Sequence, residues 1–355
     1  MKRKVITALL AATMVASLAV GCGNKGGDSS SDSSKSSSSS SSSDEITIGF
    51  SQVGAESDWR TANSESMKST FSEKNGYKLI FDDAQQKQEN QITAIRNFIQ
   101  QDVDYIVLAP VTETGWDTVL KEAKDADIPV IIVDRMIDVS DDSLYTAWVG
   151  SNFKMEGQKA CEWLNAYAEA KGMKEVNIAH IQGTIGASAQ IGRTEGLEAA
   201  AKEYGWNIVA QQTGEFTQAK GQEVMESMLK QHDNINVVYC ENDNEAFGAI
   251  DALEAAGKTV GPDGDILVMS FDTTNAGLTD TLSGKIICDT ECNPLHGPRV
   301  EEIIKKLENG EDVDKKAYVD EEMFAFDDTV KKVTVDGTDY DVTKITQDIL
   351  DKRAY

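Results

Sequence analysis

Arg60, Arg135 and Arg193 lie in the polar stretches that follow short apolar runs, and so do Asp83, Asp134, Asn242, Asp243 and Asp272. Guanidinium groups donate in fixed forks, carboxylates accept, and an amide does both; together they suit the vicinal hydroxyls of a sugar. Trp59 and Phe216 offer flat faces for the apolar C–H side of such a ligand. The position of Trp59 beside Arg60 in a polar loop favours a stacking platform over a core residue. Any one aspartate at a strand end serves equally well as a helix N-cap, as does Asn242. The set carries weight collectively.

The elements that must position these residues alternate regularly. The runs ITIGF (46–50), YKLIF (77–81), YIVLAP (105–110), VIIVD (130–134), VNIAHIQG, NIVAQQ, VVYCEND and ILVMSFD are strand-like. Segments between them, such as 90–101 with Ile92, Ile95, Phe98 and Ile99, carry apolar residues at helical spacing. This β-α-β-α order predicts an α/β fold of two doubly wound parallel-sheet halves, split near 149–152. Such sheets bind ligands beyond the carboxyl ends of their strands, and eight polar loops (51–60, 82–91, 109–116, 134–135, 183–193, 214–218, 242–243 and 271–272) fall there. The run GTIGAS (183–188) is neither G-x-G-x-x-G nor a Walker sequence, so no nucleotide cofactor is implied and its glycines are those of a tight turn.

At the start, Met1-Lys2-Arg3-Lys4 precedes an apolar run from Val5 to Val20 that ends at Gly21-Cys22, a signal-peptide pattern too short for a permanent span. LAVGC resembles a bacterial lipobox. That resemblance implies a signal peptide over 1–21, cleavage before Cys22, lipidation of its thiol, and anchorage to the outer, extracellular face of the cytoplasmic membrane. Residues 22–43 continue as a Ser-rich tether, and the globular part begins near Asp44. A formal charge of −26 argues against nucleic acid as a partner. Cys161, Cys240, Cys288 and Cys292, with only His180, His232 and His296 beside them, make no zinc pattern and read as small buried hydrophobes. The acidic run DGTDYD (336–341) reads as a solvated turn rather than a calcium loop; no metal is implied.

From about Glu45 onward the chain resembles the type I periplasmic sugar-binding proteins of ABC transporters, the ribose and galactose group. The ordered set SQVGAESDWR, QQKQENQ, APVTETGW, DR, QGTIGASAQIGR and GEF is similar to its galactofuranose-binding branch. The resemblance implies two lobes joined by three hinge crossings, 45–150 with 292–320 and 151–291 with 321–355, and a monosaccharide held between them in a monomer. It further implies an ABC permease and its ATPase as partners. Its ligand positions fall on Ser57, Trp59, Arg60, Asp83, Thr112, Asp134, Arg135, Arg193, Phe216, Asn242 and Asp272. At the last hinge this sequence departs, offering Glu291 where ribose-binding relatives carry glutamine. Arg193 is expected to serve the ligand and contribute little to either core.

A secreted glycosidase would also use carboxylates, but pairing with arginines keeps them ionised rather than raising one as an acid. A sugar-responsive repressor would need a basic DNA-binding element where this chain has a signal and tether. A binding protein feeding a membrane sensor is a further alternative that residue types do not separate from import.

Overall fold

The computed structural model describes residues 45–355; the signal segment 1–21, Cys22 and the tether 22–43 lie outside the described residues. Six strands form the first sheet, in the order Lys316–Tyr318, Ala147–Gly150, Val130–Val133, Tyr105–Leu108, Ile46–Gln52, Tyr77–Asp83, every neighbouring pair parallel. Seven form the second: Thr343–Lys344, Met323–Ala325, Cys288–Glu291, Leu267–Asp272, Val237–Cys240, Asn177–Gln182, Asn207–Thr213. Only the pairing of Cys288–Glu291 with Met323–Ala325 is antiparallel there. The fold is thus two α/β lobes, as the alternation of apolar runs requires.

Crossover helices cover both faces of each sheet, which is why Tyr105–Leu108, Val130–Val133 and Val237–Cys240 are buried along their whole length. Gln88–Gln100 shows how a helix meets the sheet: it buries Gln91, Ala94, Ile95 and Phe98, one stripe at the i, i+3, i+4, i+7 spacing. In the second lobe the helices Phe153–Lys171 and Ser188–Tyr204 approach each other more closely than side chains permit. A Cβ on Gly196 would lie 2.8 Å from the carbonyl carbon of Gly157, so glycine is required at the crossing. The close crossing sets Glu156 of one helix beside Arg193 of the other.

The chain passes between the sheets three times, through 151–152, 292–295 and 319–322. One carboxylate ties these passages together: Glu321 Oε1 accepts from the Ser151 hydroxyl at 2.6 Å and from the Asn293 amide at 2.8 Å. The run 336–341 is more than a solvated turn. Asp336 and Gly337, at φ 50° and 78°, make the tight turn of a hairpin between Lys332–Val335 and Thr338–Asp341, a signal that an Asp-Gly pair carries in sequence. Cys161, Cys240, Cys288 and Cys292 are buried free thiols.

Candidate ligand cavity between the lobes

The loops at the carboxyl ends of both sheets meet around a small cavity. Glu56, Ser57, Trp59, Arg60, Asp134 and Arg135 line it from the first lobe. Phe153, Ala189, Arg193, Phe216, Asn242 and Asp272 line it from the second, with Cys292 at the hinge. The lobes also touch beyond the hinge: the Asp58 amide donates to Asn244 Oδ1 at 2.9 Å, the Glu113 amide to the Gly186 carbonyl at 2.9 Å, and the Met136 amide to Ser188 Oγ at 2.8 Å. The conformation is therefore closed.

On the first lobe, Ser57 caps the helix Asp58–Thr70 by accepting from the Arg60 amide, which fixes Trp59 and Arg60 on the first turn. The Trp59 indole N–H donates to the Cys292 carbonyl at 2.6 Å, so its ring is held against the hinge while facing the cavity. Arg60 bridges Asp134 Oδ2 at 2.7 Å and Glu56 Oε1 at 3.0 Å. Arg135 donates to the Val111 carbonyl at 3.0 Å and approaches Glu56 Oε1 at 3.6 Å. Burial pulls the Arg60 guanidinium down, but the attraction of Asp134 and Glu56 outweighs it and leaves its pKa above the ordinary value. Burial pushes the Asp134 carboxyl up, and Arg60 and Arg135 more than reverse this, holding it below the usual carboxylate range. Arg135, buried and repelled by Arg60, falls to about 10. Two guanidiniums thus face two carboxylates, with Arg135 lowered by burial first and by its neighbour Arg60 second.

In the second lobe one guanidinium faces two carboxyl groups. Arg193 pairs with Glu156 Oε2 at 2.8 Å and Asp272 Oδ1 at 3.4 Å, and also donates to the Glu241 carbonyl. Burial lifts the Asp272 carboxyl well above its usual range despite Arg193, with Asp243 and Glu156 adding repulsion. Arg193 is thus built into the second lobe as well as facing the cavity, and the expectation that it contributes little to the core is wrong. Phe216 has φ 61° and lies with its ring on Gly183, where a Cβ would come within 1.9 Å of it. Across the cavity Arg135 stands over the same ring, 5.0 Å from its centroid. Asn242 fills both roles open to it in sequence: Oδ1 caps the helix Asp243–Ala255 while the residue lines the cavity, and Nδ2 donates to the Phe216 carbonyl at 3.2 Å.

Other sequence candidates do not reach the cavity. Asp83 ends an edge strand, is exposed, and accepts from the Gln85 amide of its own turn at 2.8 Å. The Thr112 hydroxyl is spent on Gln88 Oε1 at 2.8 Å. Asp243 is buried behind the helix start, accepting from the Ser270 and Thr274 hydroxyls at 2.6 and 2.7 Å. Glu291 is turned to the outer side of the hinge, accepting from the Tyr355 hydroxyl at 2.7 Å and the Glu322 amide at 2.8 Å. Conversely, Glu56, Phe153, Ala189 and Cys292 line the cavity without having been singled out. Glu56 is the most telling, because its Oε2 is buried and has no hydrogen-bond partner among the described residues.

The fold and this interlobe site define a solute-binding protein, and the chain belongs to the periplasmic binding protein family: the model for "Periplasmic binding protein domain" matches residues 48–288. The chain is accordingly a binding protein and not an enzyme. Among relatives, the chain is 44% identical over 270 residues to the galactofuranose-binding protein YtfQ of Escherichia coli, covering 75% of this chain and 83% of that one. A Mycobacterium smegmatis structure in complex with β-D-fucofuranose superposes with a TM-score of 0.76 at 44% identity, covering 80% of this chain and 92% of the other. The binding-protein component of the arabinose ABC transporter from Shewanella, bound to α- and β-L-arabinofuranose, does so with 0.73 at 43% identity, covering 80% and 93%.

Proposed function

We propose that the interlobe cavity binds one neutral monosaccharide in its furanose form, galactofuranose or a close relative, and that lobe closure presents the loaded protein to an ABC permease and its ATPase. The observation that carries this reading is the balanced, enclosed lining. Three guanidiniums (Arg60, Arg135, Arg193) face three carboxyl groups (Glu56, Asp134, Asp272) and an amide (Asn242), with Trp59, Phe153 and Phe216 as apolar faces. Paired charges of this kind offer fixed donors and acceptors to hydroxyls without demanding a charged ligand, which counts against a phosphorylated sugar. The names of the relatives, one galactofuranose-binding and two solved with furanose sugars, support the ring form.

Ser57, Trp59, Arg60, Asp134, Arg135, Arg193, Phe216, Asn242 and Asp272 remain as the ligand set, with Glu56 added for its unpartnered oxygen. Closure follows because a sugar in contact with both lobes binds the closed form more tightly than the open one. Through the LAVGC motif, Cys22 anchors the protein to the outer face of the membrane; Cys22→Ala should release it from cells. Calorimetric titration with D-galactose, L-arabinose and D-fucose, each of which has a furanose fraction in solution, tests the ligand class, with glucose 6-phosphate as the anionic comparison. Saturable heat from a neutral sugar supports the reading; binding of the phosphate alone overturns it.

A further inference from the structure

The last residues of the sequence fold against the far side of a cavity turn. Arg353 Nε donates to the Thr273 carbonyl at 2.8 Å, and its Nη2 reaches both the Thr273 hydroxyl and Glu291 Oε1, the latter at 3.0 Å. Tyr355 donates its hydroxyl to the same Glu291 oxygen at 2.7 Å, and its carbonyl accepts from the Asn275 amide at 2.7 Å. Asn275 Nδ2 returns a bond to the Arg353 carbonyl at 3.1 Å, and the Arg353 guanidinium stacks 4.1 Å from the Tyr355 ring.

The residues held by these contacts matter for the cavity. Asp272 and Glu291 are register partners on neighbouring parallel strands. Asp272 is the second-lobe cavity carboxyl, whereas Glu291 opens the second hinge crossing. Asp272 and Thr273 both have positive φ, 107° and 53°, a conformation that non-glycine residues keep only where their surroundings impose it. Arg353 grips the carbonyl and hydroxyl of Thr273 and the Glu291 carboxylate at once, which a lysine cannot reproduce.

We propose that Arg353 and Tyr355 form a clasp that holds the Asp272–Thr273 turn in its binding conformation and fastens it to the hinge. Neither residue lines the cavity, so both are positioning residues. The ligand side of this proposal rests on the sugar-binding reading above.

The test uses the full chain carrying Arg353→Gln, Arg353→Lys or Tyr355→Phe, the last removing only one hydroxyl. Amide exchange over 272–277 in the ligand-free protein should be about tenfold faster in Arg353→Gln, with the remainder of the second sheet unaltered. Affinity for whichever of D-galactose or L-arabinose binds should weaken about tenfold, and Arg353→Gln should cost little more on top of Asp272→Asn, because it acts through that carboxyl. Arg353→Lys should recover part of the loss. Unaltered exchange over 272–277, or an affinity loss that adds in full to that of Asp272→Asn, overturns the proposal. If neither sugar binds the unaltered chain, the ligand reading falls, and exchange alone decides the clasp.

Discussion

The Arg135 guanidinium lies 5.0 Å from the centroid of the Phe216 ring, seating a cation of the first lobe on an aromatic face of the second. Both residues line the cavity, so the contact reports closure and ligand packing together. Phe216→Ala should weaken sugar binding by about 2 kcal/mol, part of it shared with Arg135→Ala in a double-mutant cycle. Calorimetry on the two single variants and the double variant measures that coupling; strict additivity would show the contact to be incidental.

Gly183 offers a subtler probe of the same ring. Its missing Cβ is the space that Phe216 occupies, so Gly183→Ala must drive the ring toward the cavity or out of place. Sugar affinity should fall by at least about tenfold with the fold retained, and circular dichroism alongside titration separates the two effects.

Arg193→Ala should unfold the second lobe more readily as well as abolish binding. Removing this guanidinium leaves Glu156 Oε2 buried without the cation that pairs with it. A loss of about 3–5 kcal/mol is expected, seen as a lowered denaturation midpoint in the ligand-free protein.

Glu321 predicts a pH dependence. Burial and the neighbouring Glu156 carboxyl raise its pKa well above 4.5, and Glu156 is also raised by burial. A carboxyl whose folded pKa exceeds its unfolded value contributes stability fully below 4.5 and loses it as pH rises through the folded value. Glu321→Gln removes this titration, keeps an acceptor for Ser151 and Asn293, and offers an amide to Glu156. The variant should gain about 1–2 kcal/mol on the native protein at alkaline pH and little at acid pH, by denaturant titration. His296, lowered to about 4 mainly by burial, works in the opposite sense, losing stability as pH falls from 6.5, and cancels in the difference.

Much of this architecture is legible in the chain because parallel strands buried on both faces must be nearly continuous apolar runs, and the crossover topology then fixes where the loops gather. Arg60, Asp134, Arg135, Arg193, Phe216, Asn242 and Asp272 follow from that rule. It fails for Asp83, which ends an edge strand and folds back on its own turn, and for Asp243, one residue inside a helix and facing the core. Glu56 was hidden because a glutamate beside an N-cap serine has many surface uses. The clasp of Arg353 on Thr273 and Glu291 joins residues far apart in sequence, in part through a backbone carbonyl, and no local spacing signals it.

Sugar occupancy of the interlobe cavity is tested most directly by thermal denaturation of the protein against D-galactose, L-arabinose and D-fucose beside amino acids and nucleosides, since a ligand that binds only the folded state must raise the melting temperature. The lining of Arg60, Asp134, Arg193 and Asp272 predicts a saturable rise with one of the neutral sugars, recovered chemically unchanged and lost in Arg60→Ala. A rise with non-sugars alone would contradict it.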